Sequence, residues 1–231
     1  MLRVTPYPVD EQPRSDPVTV AVKICGLATE EGVAAAIGGG AAYVGFVFYA
    51  PSPRAVSPAR AAELCAAVPA GVQRVGLFVD ADDAAIRSVL DVAPIDMLQF
   101  HGSESPDRVA DIKIRLHRPV IKAIAVAGSE DVLGARRYEA VADMLLFDAK
   151  PPCTPEALPG GNGLAFDWRL IGGHAWRRPW MLSGGLTAAL LPEAVRLSGA
   201  TAVDVSSGVE RRPGDKDPDK IREFLDTARK L

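Results

Sequence analysis

Short apolar runs and amphipathic stretches alternate along almost the whole chain. Runs near residues 19–24, 42–48, 72–79, 95–100, 119–125, 143–147, 179–182 and 202–206 are rich in Val, Ile, Leu and Phe and are bounded by Gly, Pro, Asp or Ser. That pattern predicts buried strands. Helix-like stretches lie between them, near 29–37, 58–67, 82–90, 105–113, 129–139, 167–171, 187–197 and 217–229, the sixth being the shortest. Ser57-Pro58 and Ser105-Pro106 mark helix starts, with a capping serine before a proline in the first turn. Gly38, Gly71 and Gly199 are suited to stopping helices. Eight strands in strict alternation with eight helices predict an α/β protein, a closed (β/α)8 TIM barrel rather than an open sheet. Residues 1–17, with Pro6, Pro8, Pro13 and Pro17 among polar neighbours, read as a flexible extension ahead of a barrel domain spanning 18–231.

Period-two alternation divides the first strand. Ala21, Lys23 and Cys25 share one face; the aliphatic Val20, Val22 and Ile24 share the other. The aliphatic face suits the outer helices, so Lys23 and Cys25 should point into the barrel, with a neighbouring ammonium favouring the reactive thiolate. A free cysteine is more often a small buried hydrophobe, and position alone leaves both roles open. Asp148 directly follows the run Leu145-Leu146-Phe147, where barrel enzymes place catalytic groups; a capping aspartate is the alternative. Arg54, after the second strand, could grip a carboxylate with two parallel hydrogen bonds or lie on the surface. Asp204 should face inward with Ala202 and Ser206, and a buried acid needs a partner. His101 closes the fourth strand beside Gln99 and receives no role, a lone histidine being more often structural.

Two turns near the end point to a phosphorylated ligand. Ser183-Gly184-Gly185 follows the seventh strand and Ser206-Ser207-Gly208 the eighth. In barrels those loops often bind phosphate through backbone N–H groups, and glycine lets the backbone approach the anion. The segment between Asp148 and Phe166, with Gly160-Gly161-Asn162-Gly163, is long enough to be a functional lid or plain flexible chain.

Composition narrows the class. Of 231 residues, 48% are hydrophobic, and 26 basic against 29 acidic side chains leave a net charge of −3, which gives no hint of a nucleic-acid partner. No apolar stretch reaches a membrane span, and the N-terminus lacks a secretory core. Cys25, Cys65 and Cys153 form no metal-ligand cluster. So sparse a set fits a reducing cytoplasm. The composition leaves monomer and homodimer open.

Taken in order, Val22-Lys23-Ile24-Cys25-Gly26-Leu27, Tyr43–Phe48 with Ser52-Pro53-Arg54, Leu98–Gly102, Leu146-Phe147-Asp148, Gly160–Gly163 with Phe166-Asp167-Trp168, Ser183–Leu186 and Val203–Glu210 resemble the phosphoribosylanthranilate isomerase family of tryptophan biosynthesis. Two positions depart from the family's usual form: Asn162 stands in place of Thr, and Phe100 where Leu is more common. The resemblance implies a barrel and an Amadori rearrangement of N-(5-phosphoribosyl)anthranilate, a small phosphorylated aminosugar, without metal or cofactor. It also implies Cys25 as general base, Asp148 as general acid and Arg54 as the contact to the anthranilate carboxylate. Gly184, Gly185, Ser206, Ser207 and Gly208 then occupy the phosphate-binding places. Two rivals share the phosphate turns: another phosphosugar isomerase or epimerase on the same barrel, and a non-catalytic phosphate-binding barrel.

Overall fold

The computed structural model describes residues 20–152 and 158–231. The expected N-terminal extension, Cys153 and the middle of the loop after Asp148 lie outside those residues. Eight parallel strands, β1 (Ala21–Cys25), β2 (Tyr43–Val47), β3 (Gln73–Phe78), β4 (Met97–Phe100), β5 (Val120–Val126), β6 (Met144–Ala149), β7 (Trp180–Leu182) and β8 (Ala202–Val205), pair in chain order, and β8 pairs back onto β1 to close a barrel. Around it run α1 (Glu30–Gly38), α2 (Pro58–Cys65), α3 (Asp83–Leu90), α4 (Pro106–Leu116), α5 (Ser129–Gly134), α6 (Leu191–Ser198) and α7 (Pro218–Ala228). The serine caps hold: Ser57 Oγ accepts from Arg60 N, and Ser105 Oγ from Arg108 N.

The strand faces sort as the alternation requires. Val20, Val22 and Ile24 join the layer between sheet and helices. Inside the barrel, Val75, Met97, Ile121, Met144, Leu146 and Met181 fill a lower layer, and Cys25, Val47 and Leu77 form an upper layer at the mouth. The barrel is therefore packed through its depth, and chemistry is confined to its open end.

Three features differ from the sequence expectation. The sixth helix is a single 3-10 turn, Trp168–Leu170. Gly172 and Gly173 break it, and aromatic rings close the wall in its place, with Phe147 4.9 Å from Trp176 and 5.8 Å from Trp180. The fifth helix ends at Gly134 and continues as a 3-10 turn to Tyr138. Asp148 lies within β6 rather than after it, because a long β5 extends the pairing to Ala125↔Asp148 and Val126↔Ala149. Beyond β8, a short hairpin of β9 (Glu210–Arg212) and β10 (Asp215–Lys216) precedes α7. Strands of three and two residues carry no readable alternation.

Candidate active site

A cleft opens at the carboxyl ends of the strands, the end where barrel enzymes build their sites. Cys25 from β1 and Asp148 from β6 both line it, as do Arg54, Gly184, Gly185, Ser206 and Ser207. Gly208 is the exception. It lies behind the wall, where a Cβ would collide with the Leu186 carbonyl oxygen.

Cys25 sits over a charged layer. Lys23, two residues earlier on the same face, is fully buried and donates to Asp204 Oδ1 at 2.8 Å; Ser183 Oγ donates to Asp204 Oδ2 at 3.4 Å. The register of β1 on β8 sets Lys23 directly opposite Asp204. Burial alone would lower the lysine, but the charges of Asp204 and Cys25 outweigh it and hold Lys23 above the ordinary lysine range. Gly45 on β2 makes the layer possible, since a Cβ there would stand 3.1 Å from both Cys25 Sγ and Lys23 Nζ. Burial pushes the Cys25 thiol up, and the Lys23 ammonium opposes this without overcoming it. Lys23 thus acts on the thiol in the expected direction, but burial, with a smaller contribution from Asp204, outweighs it.

Across the cleft, Asp148 Oδ1 accepts from the Ala149 N–H at 2.9 Å, and Oδ2 lies 3.1 Å from His101 Nε2. His101 Nδ1 in turn lies 2.9 Å from Gln99 Nε2. The histidine left without a role thus touches the proposed acid. The only sequence signal was its place at the end of a barrel strand.

Arg54 is 5% exposed and does not reach outward. Its Nε and Nη2 donate to the two carboxylate oxygens of Glu210 at 2.7 and 2.9 Å, and Nη2 also donates to the Gly161 carbonyl at 3.1 Å. The two-pronged edge expected to grip a ligand is therefore occupied by Glu210, and among the described residues Nη1 has no hydrogen-bond partner. Lys216 from β10 donates to Glu210 Oε1 at 2.7 Å and to the Ser206 carbonyl at 2.9 Å. Burial would raise Glu210, but Arg54 and Lys216 outweigh it and hold the carboxyl below its ordinary range.

The turn after β7 is shaped for close backbone approach. Gly184 and Gly185 have φ of +87° and +64°, and Cβ atoms there would meet Ala149 N at 2.9 Å and Leu164 C at 2.8 Å. Among the described residues, neither glycine N–H finds a protein acceptor. Two adjacent amides without a protein acceptor on a cleft wall have the chemistry to receive an anion.

Comparison with known proteins fits this geometry. A family model described as N-(5'phosphoribosyl)anthranilate (PRA) isomerase matches residues 22–227. The N-(5'-phosphoribosyl)anthranilate isomerase of Paracoccus denitrificans is 56% identical over 211 residues, covering 91% of this chain and 98% of its own. That of Rhodospirillum centenum is 56% identical over 212 residues, covering 92% and 99%. The crystal structure of phosphoribosyl anthranilate isomerase from Thermotoga maritima superposes with a TM-score of 0.81 at 37% identity, covering 92% of this chain and all of that one. A structure of the same kind of enzyme in complex with reduced 1-(o-carboxyphenylamino)-1-deoxyribulose 5-phosphate gives a TM-score of 0.77 at 35% identity with the same coverage.

Proposed function

The chain belongs to the N-(5'-phosphoribosyl)anthranilate isomerase family, and from that premise we propose how its cleft carries out the reaction. The enzyme converts N-(5-phosphoribosyl)anthranilate to 1-(2-carboxyphenylamino)-1-deoxyribulose 5-phosphate in tryptophan biosynthesis, an aldose–ketose isomerisation. The observation that carries the assignment of roles is the placement of a thiol and a carboxyl on strands β1 and β6 of one cleft, with the glycine turn beside them.

Asp148 gives a proton to the furanose ring oxygen. The bond from that oxygen to C1′ breaks, its electron pair staying on oxygen, and the anthranilate nitrogen lone pair forms the Schiff base. The positive nitrogen acidifies C2′, and the Cys25 thiolate takes the C2′ proton. The enolamine that results tautomerises to the ketone. Each positioned proton transfer contributes roughly 10²–10⁴-fold. Cys25 enters the step as the thiolate, and the cation created by ring opening stands beside it as counter-charge. Binding is divided between two ends. Arg54 Nη1 takes the anthranilate carboxylate, while the amides of Gly184 and Gly185, with Ser206 and Ser207, hold the phosphate. Gly208 acts through the shape of its turn.

The free buried thiols of Cys25 and Cys65 support a reducing, cytoplasmic setting. The catalytic unit is read as residues 18–231, a reading supported by the family model's match over residues 22–227. The test of function is the loss of phosphoribosylanthranilate fluorescence, with substrate made in situ. The purified chain accelerates it over the blank, and Asp148→Asn and Cys25→Ala each abolish most of that acceleration while remaining folded. No acceleration by the wild-type chain would overturn the assignment.

A further inference from the structure

Gln99 and His101, in line with Asp148, have no part in the reaction as derived above. Gln99 is fully buried, and the side chain of His101 is 10% exposed. The amide nitrogen of Gln99 carries only donors and faces His101 Nδ1 at 2.9 Å. In this orientation, which leaves Gln99 Oε1 buried without a hydrogen-bond partner among the described residues, Nδ1 offers its lone pair. The one N–H of a neutral imidazole then sits on Nε2, the atom 3.1 Å from Asp148 Oδ2. The other carboxylate oxygen already accepts from Ala149 N. Both oxygens of Asp148 are thus met by fixed donors. Gly160 closes over the pair, since a Cβ there would lie 2.6 Å from His101 Nε2 and 2.9 Å from Asp148 Oδ2.

We propose that His101 is the positioning residue of the acid, held by Gln99 as the Nε2–H tautomer so that a preorganised donor meets the negative charge left on Asp148 when its proton passes to the ring oxygen. The inference rests on the reading of Asp148 as the acid. Its physical basis is that a donor aimed at where charge develops lowers the barrier without reorganising at the moment of reaction. Other charged or titratable groups face this corner from several elements. Cys25, Tyr49, Arg54 and Asp204 line the same cleft. Arg54 is tied to Glu210, and Asp204 to Lys23. Behind the 100–102 backbone lies the Lys122–Glu104 pair, with Asp80 bonded to Ser103, and Lys150 beside Ala149 pairs with Asp131. Among the described residues, none of these hydrogen-bonds the side chain of His101 or Asp148.

The experiment has three arms. In ¹⁵N-labelled wild-type protein at neutral pH, His101 shows a protonated Nε2 and an unprotonated Nδ1; the opposite tautomer overturns the proposal without any kinetic measurement. His101→Leu lowers kcat by about 10–100-fold, the size of one charge-assisted hydrogen bond, with KM within about twofold. His101→Gln, whose amide can donate to Oδ2, recovers part of the loss in kcat. A loss carried by KM with kcat unchanged, or no recovery in His101→Gln, overturns the proposal. Asp148→Asn separates the two readings. If it retains turnover, the acid assignment falls and this inference with it. If it is inactive while His101→Leu keeps the wild-type kcat, only the inference falls.

Discussion

Arg54 spends the two-pronged edge of its guanidinium on Glu210, at 2.7 and 2.9 Å, inside a wall where both side chains are about 5% exposed. The pair fixes which N–H groups the cleft can use, and Lys216 on the same carboxylate extends the lock to the turn after β8.

Glu210→Gln keeps the shape and removes the charge shared by two buried cations. Breaking a buried ion pair costs about 3–5 kcal/mol, so the urea midpoint should fall while the m-value is kept. KM should rise about tenfold, for roughly 1.4 kcal/mol of lost binding, with kcat nearly unchanged. A variant with wild-type KM would show that the lock does not serve recognition.

The thiol supplies a second test. With burial pushing Cys25 up, its alkylation by iodoacetamide should be slow at pH 7 and should rise at a pH above the ordinary thiol midpoint of about 8.5. Lys23→Met removes the opposing ammonium and should move that rise further up. Mass spectrometry of the Cys25 peptide reads the rate separately from Cys65, which burial also pushes up, to about 11. An unmoved profile in Lys23→Met would remove the lysine from the account.

Asp204→Asn leaves the fully buried Lys23 without its counter-charge and should destabilise the fold by about 3–5 kcal/mol. Lys23 is held above the ordinary lysine range. Its contribution is therefore complete below the unfolded value of about 10.4 and is lost only as pH rises through the higher folded value. Urea titrations of wild type and variant should show a constant gap from pH 6 to 9. A gap that closes within that range would mean the pair is not the source.

On the outer surface the sign reverses. Hydrogen bonds from Arg115 and Arg108 hold Asp83 at about 2, and those from Arg60 hold Glu30 at about 2. Stability from such groups is present above the ordinary carboxylate range and is lost as pH falls through about 2. Both sites are solvent-exposed and screened by salt. Melting curves of Arg60→Ala should lie slightly below wild type at pH 6 and converge with it near pH 2; a gap that persists at pH 2 would assign Arg60 another role.

Periodicity carried the barrel because strand and helix periods are local properties. It also placed Lys23 and Cys25 on the inward face, where the structure puts them. What it could not supply was register. The pairing of Lys23 with Asp204 spans 181 positions, and that of Arg54 with Glu210 spans 156. Without those partners, Lys23 reads as a free ammonium and Arg54 as an open fork. His101 was opaque for the same reason, since Asp148 reaches it only through the barrel's curvature. The sixth helix misled because the wall there is closed by Phe147, Trp176 and Trp180 instead.

The seam between β1 and β8 has a consequence for biogenesis. A nascent chain that has emerged as far as β7 already contains both proposed proton carriers, Cys25 and Asp148, yet Lys23 would be stranded in apolar surroundings and the turn after β8 would not exist. Activity must therefore appear late and all at once, when the C-terminal quarter arrives to shut the ring. Closing such distant partners is a slow kind of step, so this enzyme should be inert until its first and last strands meet.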